Sequence, residues 1–166
     1  MLTGRCEQLK CPKLALKVFG DYSSYSVQLN LPAARQLLHS LHAEHSLSDV
    51  MTAASLFPVY NLPSVSEDLV CCALVVDACM RDGSVEALQV GDALLGSLQN
   101  LVGKGSGNAT FAVSPHPREK AKDKPRVWVI RALEKIDRKQ SKRPEGRLPW
   151  LEEWRRRNKL LKSTIF

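Results

Sequence analysis

The sequence predicts an all-α protein: a short stack of antiparallel helix pairs, α-solenoid-like, followed by a linker and two basic C-terminal helices. Three observations predict it. Apolar residues recur at the i, i+3, i+4 spacing of amphipathic helices, in segments that superimpose at an offset of 38 residues. Helix start and stop residues fall between those segments. Turn dipeptides flanked by alternating apolar and polar residues, the mark of a β-hairpin, are missing.

The opening "MLTGRCEQLKCPKLALKVF" carries Arg5, Lys10, Lys13 and Lys17 against Glu7 alone. That balance is faintly like a mitochondrial presequence, but without the Arg and Ser richness of one, and a first structural helix fits better. In "CPKLALKVFGDY", Ala15, Val18, Phe19 and Tyr22 set the pattern. It returns as Ala53, Leu56, Phe57 and Tyr60, and again as Gly91, Leu94 and Leu95. Each copy has a small residue where a neighbouring helix must approach. Partner helices follow the same offset, with Leu37, Leu38 and Leu41 answered by Val75, Val76 and Cys79.

One such pair cannot bury both of its apolar faces, so each leans on the next. The punctuation agrees. Ser46-Leu47-Ser48-Asp49 resembles a capping box, Gly83 stands where a helix would end left-handed, and Ser84 can cap the helix after it. We therefore expect a helical-repeat domain over 1–102, a linker over 103–123 and a basic extension over 124–166.

The linker is marked by "GKGSGNATFAVSPHPR", in which three glycines and two prolines oppose a helix. Its glycines do not make a phosphate loop, because the Lys-Ser/Thr pair is missing and no strand leads in. The Asn108-Ala109-Thr110 sequon is expected to be accidental, since no secretory segment precedes it.

With 44% apolar and 25% charged residues, the 166-residue chain has the composition of a folded globular protein. Its charge is divided sharply. Residues 1–115 carry 7 Lys/Arg against 10 Asp/Glu, a net of −3; residues 116–166 carry 17 against 7, a net of +10. Such polarity points to a polyanionic partner for the tail, most simply nucleic acid. No long apolar run spans a bilayer. Five cysteines, two of them adjacent, form no disulfide framework and read as reduced, mostly buried thiols.

His39, His42 and His45 are spaced as neighbours on a helix, but a metal needs more ligands and a supporting shell, so they read as imidazoles at the polar edge of a packed helix. Cys72 and Cys79 share a face with aliphatic neighbours, where burial makes a thiol inert. No catalytic constellation emerges, and neither a metal nor a cofactor is expected.

The C-terminal third is the outward-looking part. From Pro125, suited to a first helical turn, Val129, Leu133 and Ile136 align with Trp128 and Ala132 beside them. Arg131, Lys135, Arg138, Lys139 and Lys142 gather on another face. After "SKRPEG", Pro149 starts a last helix whose Trp150, Leu151 and Trp154 form an apolar edge before Arg155, Arg156, Arg157 and Lys159. Either the seam docks and the cations are its solvated face, or the seam anchors while the cations meet RNA phosphates. The charge excess favours the second, with Trp154 offering a stacking surface. The residues expected to contact RNA are Arg126, Arg131, Lys135, Arg138, Lys139, Lys142, Arg143, Arg147, Trp154, Arg155, Arg156, Arg157 and Lys159.

"DLVCCALVVDACMRDGSVEALQVGDALLGSL" resembles a pentatricopeptide-type repeat, an apolar helix and a Gly turn before an Ala-Leu-bearing helix. The likeness is best over 68–98 and looser over 11–102. It implies a mitochondrial matrix setting and an RNA or ribosome association. Aligning Gly83 with the turn glycine puts Ala73 and Arg35 where that family carries a base-reading Asn, Ser or Thr, and alanine has no side-chain hydrogen bond to offer. The expected function is thus a non-enzymatic mitochondrial RNA-associated or ribosomal protein whose repeats hold a protein neighbour and whose tail grips ribosomal RNA backbone. The alternative is a protein–protein adaptor or assembly factor with its tail on an acidic partner.

Overall fold

Pro12 divides the N-terminal segment into two helices where one was expected. It has no N–H to donate and disfavours a helical residue before it, so α1 (Leu2–Gln8) ends and α2 (Pro12–Gly20) begins afresh. The Cys11 N–H returns 2.9 Å to the Cys6 carbonyl, and Lys10 takes the left-handed position at φ 53°. A computed structural model describes residues 2–105, 124–144 and 146–163, without the side chains of residues 44, 105 and 158–163.

A single turn, α3 (Tyr22–Tyr25), precedes α4 (Leu31–Glu44), which starts where Asn30 Oδ1 accepts from the Ala33 N–H at 3.0 Å. α5 (Leu47–Val59) begins at Ser46, whose hydroxyl accepts from the Asp49 N–H and donates to the Asp49 carboxylate. The cap read from the sequence is therefore present. A 3₁₀ turn at Val65–Glu67 leads to α6 (Leu69–Asp82), capped by Asp68 and closed by Gly83 at φ 76°. Only glycine takes that angle without strain. Ser84 caps α7 (Val85–Gly105), which runs three residues into the expected linker. The rest of that segment, including the sequon, lies outside the described residues. α8 (Lys124–Gln140) and α9 (Pro149–Ser163) complete the chain.

The described residues contain helices and turns and no strand, and the helices pack in pairs, notably α4 with α5 and α6 with α7. α6 is the centre. Every residue from Val70 to Met80 is buried, and α4, α5, α7 and α8 lie around it. A helix apolar on all sides has to be enclosed in this way.

The small residues of the 38-residue pattern do what their spacing predicted. Ala15 and Ala53 are buried, and a Cβ on Gly91 would come within 3.3 Å of Cys79 Cβ, so glycine lets α7 approach α6 closely. Tyr60 donates to the Phe19 carbonyl at 2.7 Å, and its ring meets Tyr22 edge-on, so equivalent tyrosines of two segments touch.

α8 belongs to the same core. Val129, Ala132, Leu133 and Ile136 pack into it against α6, and Leu151 of α9 is fully buried beside them. Among the described residues, no helix is long and apolar enough to cross a membrane.

Candidate functional site

Docking the apolar seam of α8 decides where its cations go. With 3.6 residues per turn, Lys124, Arg131, Lys135 and Arg138 fall within an arc of about 60°, opposite the buried Val129, Leu133 and Ile136. All four are exposed, and Lys142 continues the row in the turn beyond the helix. The stripe from Lys124 to Arg138 is about 21 Å long at 1.5 Å per residue. Glu134 lies at its edge rather than within it.

Lys124 is not among the residues expected to contact RNA; the other expected cations, Lys139 apart, separate into three groups. Arg147 and Arg156 are exposed, and Arg126 is half-buried on the flank of α8. Others are engaged within the chain. Arg143 grips Asp92 of α7 with both terminal nitrogens, at 2.6 and 2.8 Å, tying the turn after α8 to the body. The Arg155 guanidinium lies 3.6 Å from the carboxylate of Asp137, which is buried, and Arg157 pairs with Glu153 one turn earlier. The triplet Arg155-Arg156-Arg157 thus does not act as a unit. The side chain of Lys159 lies outside the described residues.

The tryptophans are occupied as well. Trp128 stacks on His39 of α4, with ring centroids 4.1 Å apart and planes 15° from parallel. Trp150 and Trp154 pack, half-buried, against the core. Trp128 thus has one face taken by His39, and Trp154 is drawn toward the core rather than held out beside the arginines.

On its flank toward the body, α8 meets a polar cluster that the sequence reading passed over. Asp77 of α6 is 1% exposed, with Oδ2 2.7 Å from His42 Nε2 and 3.7 Å from Lys135 Nζ. Arg81, one turn on, donates to the backbone carbonyls of His42 and His45 at the end of α4. Half-buried Lys139 stands near Asp77, Arg81 and Lys135; burial holds its ammonium below the ordinary lysine range, the two cations add to that, and Asp77 opposes it. The signal was available: an aspartate inside "LVCCALVVDACM" must be paired if the helix is buried.

The three histidines diverge. His42 faces Asp77, while His39 lies under Trp128 with Glu7 3.7 Å away. Burial lowers the His39 imidazole to about 4; Glu7 opposes this, and His42, Arg131 and Lys124 reinforce it. Among the described residues, no group of three or more His, Cys, Asp or Glu is placed to hold a metal. Burial pushes the Cys72 thiol up to about 12 and raises Cys71 and Cys79 as well, so these thiols stay protonated and unreactive.

Among the described residues, the stripe on α8 is thus an extended array of exposed like charge on a single helix face. Comparison with protein-family models, with curated proteins and with solved structures finds no match to this chain.

Proposed function

We propose that the chain is a non-enzymatic RNA-associated protein that grips the phosphate backbone through the outer face of α8. The observation that carries the reading is the alignment of Lys124, Arg131, Lys135 and Arg138 opposite a fully docked apolar seam. The seam fixes the helix, so the cations are presented without the entropy cost of ordering a loose tail. Contacts to phosphate position a protein without reading sequence. This suits a chain whose tryptophans are packed against itself.

The body, in this reading, is a short solenoid-like stack of helix pairs that holds a protein neighbour in a larger ribonucleoprotein. The pentatricopeptide-type resemblance of residues 68–98 supports a mitochondrial matrix setting and ribosomal RNA as the polyanion. An adaptor docking on an acidic protein is the second reading. It is favoured by Arg143 and Asp92, which show the tail's arginines engaging carboxylates in bidentate fashion.

Binding of a fluorescently labelled RNA, measured across a salt series, tests the proposal. Replacing Arg131, Arg138 and Lys142 by alanine is expected to weaken binding and to reduce the log–log salt slope by about three. An unchanged affinity and slope would remove α8 as the RNA surface. Sedimentation of the native protein with and without ribonuclease separates the two readings: RNA association requires that nuclease release it from its particle.

A further inference from the structure

We infer that Arg81, Lys135 and Lys139 form a separate phosphate-binding point where α6 meets α8, taking one phosphodiester of the RNA whose backbone follows the stripe. The inference rests on the proposed RNA reading and extends the contact surface from the tail onto the body.

The contact of Lys135 with Asp77 joins α8 to α6, and Lys139 and Arg81 each lie one turn further along their own helix. Lys135 Nζ is 3.7 Å from Asp77 Oδ2, and the charges acting on Lys139 are those of Asp77, Arg81 and Lys135. Asp77 is already shared between Lys135 at 3.7 Å and His42 at 2.7 Å, so it does not also partner Arg81 and Lys139. A fold gains nothing from crowding like charges around a half-buried amine, which costs stability through repulsion and desolvation. A bound anion would relieve that crowding.

The geometry suits phosphate. Arg81 is held in place by two carbonyls at the end of α4, so its guanidinium is fixed before any ligand arrives, yet the residue remains exposed. Lys135 and Lys139 lie one turn apart on α8, about 6 Å along its axis. Cations arriving from two helices suit an anion with oxygens pointing in several directions better than a planar carboxylate, which presents a single edge. Lys135 belongs to both stripe and cluster, so a backbone running along α8 passes the seam.

The test uses the full chain with a labelled RNA duplex, and K139Q as the probe. Lys139 carries no hydrogen bond on which the fold depends, and K139Q is expected to melt like the parent protein. We expect several-fold weaker binding and a salt slope smaller by about one, with K104Q on α7 as the unchanged control. Chemical acetylation followed by mass spectrometry gives a second readout: the duplex should protect Lys139, and inorganic phosphate at millimolar concentration should not. Protection by phosphate alone would overturn RNA as the source of the anion. If K139Q binds as the parent does while R131A/R138A/K142A is impaired, the seam point is refuted and the stripe stands. If neither variant is impaired, the RNA reading itself has failed.

Discussion

His42 Nε2 lies 2.7 Å from Asp77 Oδ2, and these two buried side chains join α4 to α6 at the centre of the fold. A carboxylate in that position is tolerable only while partnered. Removing one member of this buried hydrogen-bonded pair leaves the other desolvated and unsatisfied, at a cost of about 1–3 kcal/mol, more where the stranded group is charged. D77A and H42A should therefore both lower the urea midpoint sharply, and the double variant should lose much less than the sum of the two. Additive losses would show that the pair does not act as a unit.

What the sequence disclosed and what it hid divide along a physical line. The cap at Ser84, the left-handed Gly83 and the seam Val129, Leu133 and Ile136 are local signals that appear in the structure as read, and Ser46 caps α5 without the reciprocal bond of a capping box. Pro12 is an equally local signal, and it ends α1 where a single N-terminal helix was expected. The site was only partly legible, because pairing is set by tertiary distance. Arg143 and Asp92 are 51 positions apart, and nothing near either residue announces the other. The run Arg155-Arg156-Arg157 predicts three outward cations, yet Asp137 draws Arg155 back. The 38-residue offset did contain a hint, since it brings His42 close to register with Asp77 and Arg81.

His39 makes stability depend on pH in a definable window. Its imidazole is lowered from about 6.5 to about 4 by burial against Trp128, so the unfolded chain binds a proton more readily than the folded one. The associated stability is fully present above pH 6.5 and is lost as pH falls toward 4. Thermal melts across that range should drop for the parent protein and flatten for H39F, which keeps an aromatic ring against Trp128 and cannot protonate. Parallel pH profiles for the two proteins would assign the drop to another group.

The Tyr60 hydroxyl ties α5 to the end of α2 by donating to the Phe19 carbonyl at 2.7 Å, with the Val27 carbonyl 3.3 Å away. Y60F keeps the ring and its edge-on contact with Tyr22 but leaves two half-sheltered carbonyls without this donor. A loss of about 1 kcal/mol in urea unfolding is expected. A neutral substitution would mean that water replaces the hydroxyl at no cost.

Docking of α8 separates stability from binding along one helix. Ile136 is fully buried in the common core, and I136A should cost about 2–5 kcal/mol, the range for removing a large aliphatic side chain from a packed interior. Arg131, about two turns before Arg138 and in the same outward stripe opposite Ile136, is exposed, and R131A should change stability by less than about 0.5 kcal/mol. Because α8 packs against α6, a chain ending at residue 123 should uncover the face of α6 that carries Asp77 and fail to give a cooperative urea transition. If that shortened chain instead unfolds cooperatively at the parent midpoint, α8 is an attached arm and the fixed presentation of its cations is lost as an argument.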